Sequence, residues 1–554
     1  MEQEKQFIEY IEESIVKNWN LNALTDYNGI TLQYKDIARK IAKFHIAMEE
    51  AGIQPGDKIA VCGRNGAYWG TTFLAAVTYG AVVVPILHEF KADNIHNIVN
   101  HSEAKLLFVG DQIWENLDES AMPLLMGIVS LFDFSLLVSR SEALTYGHGH
   151  RNEIYGKKYP MSFRPQDVLY RRNQPEELML INYTSGTTGY SKGVMLSYRN
   201  ILSNVLYCEE MSPLKPGDKT IAILPMGHVF GMTYDFLFGI FSGVHIHFLT
   251  RIPSPKVIAQ ACAEIKPNLI CCVPLVVEKI IKKDILPKLD STIGKLLLRV
   301  PIINDKIKTA ARQAAIEIFG GNFYEIIVGG APLNKEVEEF LRKIGFPYTV
   351  GYGMTECGPL ISSSRWTDHK LFSCGTPASR MIVAIDSPDP ENIPGEIICK
   401  GDNLMMGYYK NPEATAQAVD KDGWLHTGDM ATMDSNKHIT IRGRMKSVLM
   451  NASGQNIYPE EIESKLNNML YVAESLIVQQ NDKLVALIYP DFDEAFARGL
   501  QQQDIDKVME DNRIELNQIL PKYAQIAKVK IHFEEFEKTA KKSIKRFMYQ
   551  DIKD

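Results

Sequence analysis

Short apolar runs at residues 59–61, 82–86, 106–109, 220–224, 244–249, 269–272 and 324–328 punctuate this chain. Segments between them, such as 34–51 and 334–344, carry apolar residues at helical spacing. Each run has the length of a buried strand. Strands alternating with helices build sheets covered by helices, so the pattern confines the chain to the α/β class. The longest apolar stretch, 73–87, is broken by Gly80 and Pro85. It reads as a buried helix leading into a strand rather than a membrane span. At 554 residues the chain exceeds one small core, and two or more domains are expected.

The character changes beyond about residue 445. Tyr458-Pro459-Glu460-Glu461-Ile462-Glu463 is a helix start, with proline and acids in the first turn. Ile462, Leu466 and Met469 supply its apolar face, and two strands follow at 474–478 and 484–489. The tail carries Lys538, Lys541, Lys542, Lys545 and Arg546. The expectation is a large domain over 1–445 and a separate α+β domain over 446–554.

Residues 183–193 read YTSGTTGYSKG, directly after an apolar run at 178–181. Ser185, Thr187 and Thr188 are interleaved with Gly186 and Gly189, and Lys192 lies three residues on. Glycines let backbone N–H groups approach anionic oxygens, hydroxyls add donors, and the lysine adds a point charge. A strand running into such a loop is a polyphosphate cradle. It is not the Walker A form, because the two glycines are too close and Gly193 follows the lysine. The bland alternative is a polar surface loop.

A net charge of -7 argues against a dedicated nucleic-acid partner. The eight cysteines are scattered with no C-x-x-C pair, and the chain begins MEQEKQ. Free thiols in a reducing cytoplasm are therefore expected.

Three further segments bear on a nucleotide. Gly329-Gly330-Ala331-Pro332-Leu333 would let a flat ligand lie against backbone, although a plain strand-end turn fits it equally. Tyr352-Gly353-Met354-Thr355-Glu356 offers an aromatic face for a base, a hydroxyl, and a carboxylate suited to Mg²⁺. Asp429, in WLHTGD, could accept bonds from two ribose hydroxyls; alone it would read as a turn or cap residue.

Taken in order, these segments resemble the acyl-adenylate-forming superfamily over nearly the whole chain. GDKIA at 56–60, Asn65, Tyr68-Trp69, GHVFG at 227–231, GEIICKGDNLMMGYYKNPEAT and GRMKSVLMNASGQNIYPEEIE at 443–463 extend the match. GYYKNPEAT followed by DGWLHTGD is most similar to the long-chain fatty-acid–CoA ligase branch. The resemblance implies a large multi-subdomain N-terminal domain and a small mobile C-terminal one. It also implies two steps: a carboxylate attacks the α-phosphate of ATP to give acyl-AMP and pyrophosphate, and coenzyme A then displaces AMP.

By the same resemblance, Ser185, Gly186, Thr187, Thr188, Gly189 and Lys192 match the β/γ-phosphate loop. Thr355 matches the α-phosphate contact and Glu356 the magnesium ligand. Gly330, Ala331, Pro332 and Tyr352 match the adenine site; Asp429 and Arg444 match the ribose contacts. His228 matches a position near the substrate carboxylate, though it reads equally as a core histidine. Lys446 matches the hinge and Gly454 the pantetheine channel. The substrates implied are a fatty acid, ATP and coenzyme A, with Mg²⁺. Membrane contact, if made, would be peripheral.

One departure matters. The family's C-terminal catalytic lysine falls, by ungapped alignment on Ile544-Lys545-Arg546, at Ser543. A short neutral hydroxyl cannot supply that charge. Lys542 after a one-residue shift is the first choice. Lys545 by another loop path, or no lysine at all, are the alternatives. Lys541 reads as part of a solvated basic patch. An acyl-AMP ligase loading a carrier protein, and a non-catalytic acyl or nucleotide binder, stand as competing functions.

Overall fold

The computed structural model describes residues 5–184, 192–251, 253–286, 301–450, 456–480, 483–538 and 544–549. The chain divides into two compact units. One comprises residues 1–186, 191–383 and 399–425, and the other 187–190, 384–398 and 426–554.

The first unit is built on two large sheets. The eight-stranded sheet runs Gly407–Tyr408, Lys192–Ser197, Leu178–Thr184, Val82–Ile86, Lys58–Cys62, Ala104–Val109, Gly127–Ser130, Leu136–Ser139. Its centre is parallel and its two edges antiparallel. The seven-stranded sheet runs Tyr348–Val350, Glu325–Val328, Leu269–Cys272, Lys219–Ala222, His245–Phe248, Asn22–Asp26, Thr31–Gln33. It is parallel except for the final pair. Strands Val82–Ile86 and Leu269–Cys272 are buried at every residue, which is why they read as unbroken apolar runs.

The stretch 73–87 resolves as expected. Helix Ala67–Tyr79 is buried almost throughout, Gly80 caps it at φ 92°, and the chain turns directly into the strand. Among the described residues no helix is long and apolar enough to cross a membrane. All eight cysteines are buried, and none is in a disulfide.

The run at 220–224 overshoots its strand, which spans Lys219–Ala222. The N–H groups of Ile223 and Leu224 instead donate to Asp235 Oδ2, at 3.1 Å each. That side chain sits on the π-helix Gly231–Leu237, which no periodicity in the sequence announced.

The second unit holds the greater part of a four-stranded sheet in the order Met381–Asp386, Gly395–Gly401, Leu425–Met433, Ile439–Arg444. It also holds a three-stranded sheet of Val472–Gln480, Lys483–Pro490 and Ile526–Ile531. Helices Pro459–Leu466 and Gln502–Ile519 cover one face of the latter through Ile462, Leu466, Ile505, Met509 and Leu516. Met469 packs against this core from beyond the helix end. Phe536 and Tyr549 from the tail cover the other face.

Candidate active site

Residues 223–228 of the first unit form a loop held by three side chains. Asp235 takes the two N–H groups at its start. Asn65 donates to the Leu224 carbonyl at 2.7 Å and accepts from the Met226 N–H at 2.8 Å. Asn182 donates to the Gly227 carbonyl at 2.9 Å. A Cβ on Gly231 would lie 2.6 Å from the Pro225 carbonyl oxygen, so only glycine closes the loop. His228 is half-buried, and its Nδ1 accepts from the Phe230 N–H at 3.2 Å, which leaves the neutral ring's proton on Nε2. The Phe230 ring lies against Gly329, where an added Cβ would meet it at 2.9 Å. The loop carrying His228 therefore packs on the segment carrying Gly330, Ala331 and Pro332. These three residues are exposed, and Gly330 has φ 88°.

Burial pushes the Asp235 carboxyl up to about 8, against the pull of its N–H donors. Its folded value lies above its unfolded one, so between about pH 4 and 8 the fold holds a proton that the unfolded chain has lost. The associated stability is complete below the unfolded pKa and is lost as pH rises toward 8, by up to about 1.4 kcal/mol per pH unit. Asp235→Asn keeps an acceptor for both N–H groups and carries no charge. Urea unfolding from pH 5 to 8.5 should show a shallower decline for Asp235→Asn than for the parent; parallel curves would refute the assignment.

The adenine-site and phosphate candidates lie beyond this loop in the same unit. Strand Tyr352–Gly353 pairs with Leu360–Ser363, and Tyr352 is buried. Thr355 and Glu356 are buried in the tight turn Thr355–Cys357. Glu356 Oε1 accepts from the Tyr408 hydroxyl at 2.8 Å. Lys192 opens strand Lys192–Ser197, opposite Thr184, and its Nζ stands 4.8 Å from the centre of the Tyr408 ring. Sequence reasoning singled out Lys192 and Glu356 but assigned no role to Tyr408, which meets both. Ser185, Gly186, Thr187, Thr188 and Gly189 lie outside the described residues, as do Gly454, Lys542 and Ser543.

In the second unit, Asp429 and Arg444 face each other across the antiparallel pair Leu425–Met433 and Ile439–Arg444. Their side chains approach to 3.4 Å, with Arg444 71% exposed. Glu396 braces the strand just before Asp429, where Gly428 has φ 72°, accepting from the Gly428 N–H at 2.8 Å and pairing with His426 at 2.7 Å. Glu396 was not singled out from sequence; nothing in its own segment signals the strand it braces thirty residues on. Lys446 is exposed in the turn Met445–Ser447. The Lys545 amine lies 2.5 Å from Glu537 Oε1, and its N–H donates to the Glu537 carbonyl at 2.8 Å.

The model of the AMP-binding enzyme family matches residues 11–409, and that of the AMP-binding enzyme C-terminal domain matches 446–551. The chain belongs to the AMP-binding enzyme family. Among AMP-binding relatives, long-chain-fatty-acid–CoA ligase 5 of Rattus norvegicus is 27% identical over 83% of this chain and 71% of its own length. 4-Coumarate:CoA ligase 1 of Petunia hybrida is 26% identical over 82% of this chain and 78% of its own. The fold matches the anthranilate CoA ligase AuaEII in complex with anthranoyl-AMP, with TM-score 0.78, 18% identity and coverage of 98% and 96%. It also matches ATP-bound MatB from Rhodopseudomonas palustris, with TM-score 0.75, 21% identity and coverage of 99% of both chains. The AMP-binding fold is thus an adenylate-forming one, with a large N-terminal and a small C-terminal part.

Proposed function

We propose that this AMP-binding enzyme is an ATP-dependent fatty acid–CoA ligase. A carboxylate attacks the α-phosphate, pyrophosphate leaves, and the thiol of coenzyme A then displaces AMP to give the thioester. The observation that carries the adenylation step is the approach of Lys192 and Glu356 to one tyrosine inside the AMP-binding domain. A cation and an acid held at one place suit a polyphosphate and its metal. The fatty-acid and CoA assignments rest on the names of relatives at about a quarter identity, and those relatives take several kinds of acid.

Magnesium fits Glu356. The bond from Tyr408 occupies one of the roughly four lone-pair sites a carboxylate offers. Among the described residues no group of three or more His, Cys, Asp or Glu could hold a metal alone. An ion here would be shared between Glu356 and substrate phosphates, as magnesium commonly is. When bound it would offset the charge gathering on the leaving pyrophosphate. Lys192 and the loop at 185–189 would do the same from the protein side. We assign Thr355 to the α-phosphate, Gly330, Ala331, Pro332 and Tyr352 to adenine, Asp429 and Arg444 to ribose, and His228 to the substrate carboxylate. Lys446 is assigned to the hinge between 1–445 and 446–554, and Gly454 to the pantetheine channel.

Pyrophosphate release, measured with acids from acetate to palmitate and with or without coenzyme A, tests the reading. Release that requires an acid, rises toward long chains and is followed by acyl-CoA supports it. Acyl-AMP that accumulates without reacting with free coenzyme A would point to a carrier-protein acceptor. ATP binding without acid-dependent release would leave a binder.

A further inference from the structure

Tyr408 belongs to a segment that ties two distant motifs together. The Met405 N–H donates to the Glu356 carbonyl at 2.8 Å. Next, the Met406 N–H donates to the Met195 carbonyl at 2.9 Å, and the Tyr409 N–H to the Gly193 carbonyl at 2.7 Å. Gly407 and Tyr408 pair antiparallel with Met195 and Val194. Asn200 fastens the approach, donating to the Asp402 and Leu404 carbonyls at 2.8 Å each. Residues 402–409 thus bond on one side to the strand that Lys192 opens and on the other to the turn that holds Glu356.

The tyrosine repeats this bridging with its side chain. It is 7% exposed, its hydroxyl donates to Glu356 Oε1, and its ring receives the Lys192 ammonium. Its own N–H donates to Thr415 Oγ1 at 2.9 Å, which fixes the backbone beneath the ring. A ring held on both sides has little freedom to turn, and each contact fixes a group with many rotamers of its own.

Resting on the nucleotide reading above, we infer that Tyr408 is a positioning residue that sets Lys192 and Glu356 at a fixed separation, so that phosphate and its magnesium are bound as one unit. The hydroxyl serves the metal side and the ring face serves the phosphate side, so the two functions separate by substitution. Tyr408→Phe removes the hydroxyl and keeps the ring. Tyr408→Leu removes both.

The test is ATP binding by calorimetry on the full chain, in EDTA and over a magnesium titration, beside steady-state pyrophosphate release. Tyr408→Phe should leave ATP affinity in EDTA within about twofold of the parent. It should raise the magnesium concentration for half-maximal tightening by about tenfold, the size a hydrogen bond to a charged acceptor commands. Tyr408→Leu should weaken binding in EDTA as well. KM for the acid should stay within about twofold in both variants while KM for ATP rises, a split that general loosening of the fold would not produce. In a Glu356→Gln background, Tyr408→Phe should add less than about twofold, because the two share one function.

A Tyr408→Phe protein with the parent's magnesium dependence overturns the inference. So does an effect of undiminished size in the Glu356→Gln background. If Tyr408→Leu does not fold, Tyr408→Phe and the double variant still decide. A parent that binds no ATP overturns the nucleotide reading itself. A parent with magnesium-dependent ATP binding and indifferent variants overturns the role of Tyr408 alone.

Discussion

Lys542→Ala should lower the rate of acyl-AMP formation by about a hundred- to a thousandfold, the usual loss when a preorganised charge is removed from a transition state. Thioester formation from supplied acyl-AMP should stay within about twofold. The resemblance requires a lysine near the C-terminus, and the ungapped position holds Ser543. Of the two lysines that could replace it, Lys545 is engaged. Its amine pairs with Glu537, its N–H donates to the Glu537 carbonyl, and Ile544 before it forms a bridge with Lys538. To serve in catalysis Lys545 would have to give up an ion pair and a backbone bond, while Lys542 lies outside the described residues. Rapid-quench measurement of the first half-reaction, beside turnover of synthetic acyl-AMP with coenzyme A, separates the steps. Equal first-step rates in Lys542→Ala and parent would remove Lys542 from the site. A collapse confined to Lys545→Ala would hand the role to that residue.

Arg546→Ala should destabilise the second unit by about 3–5 kcal/mol, the cost of leaving a buried charge without its partner. Arg546 grips Glu463 with both arms, at 2.8 and 2.7 Å, and donates to the Ile477 carbonyl at 3.0 Å. Glu463 also accepts from the Ile477 N–H at 2.6 Å. Its side chain is only 11% exposed, and that of Arg546 19%. One pair thus ties the tail to helix Pro459–Leu466 and to strand Val472–Gln480.

Burial already pushes the Glu463 carboxyl up, with Arg546 pulling the other way. Removing the arginine pushes it higher. The variant therefore recovers stability as pH falls and Glu463 takes a proton, and its deficit is larger at pH 8 than at pH 5. Urea unfolding at the two pH values measures this. A deficit independent of pH would show that packing, not charge, is what the arginine contributes. The paired replacement Arg546→Met with Glu463→Leu should restore much of the loss, because the two buried charges leave together, although Glu460, 3.7 Å from Arg546, loses its ion pair.

Strands covered on both faces were legible residue for residue, as at 82–86 and 269–272, because burial leaves no polar residue to blur the run. The run at 220–224 was read too long. Apolarity says that a residue is buried, not where its N–H is bonded, and Asp235 captures two of those groups from eleven and twelve positions away. The four-stranded sheet of 381–444 escaped altogether. Met381–Asp386 puts alternate residues outward, and one of them, Ile382, is apolar and exposed.

The candidate site divides in the same way. Lys192, Glu356, Tyr352 and Asp429 stand within local motifs, which is why the sequence nominates them. Tyr408 acts through partners far off in sequence: Glu356 lies 52 positions away, and Lys192 is further still. Asn65 reaches a loop 159 positions distant. No local pattern encodes such pairings; only the meeting of strands creates them.

The placement of the eight cysteines has a practical consequence. All are buried, and all belong to the first unit, between Cys62 and Cys399. Buried thiols react with alkylating reagents only when the surrounding structure opens. Seven of the eight therefore report on the opening of the larger unit, and Cys399, on strand Gly395–Gly401, reports on the four-stranded sheet as well. The lysine-rich tail and the three-stranded sheet beside it carry no cysteine of their own, so they add no labelling signal of their own.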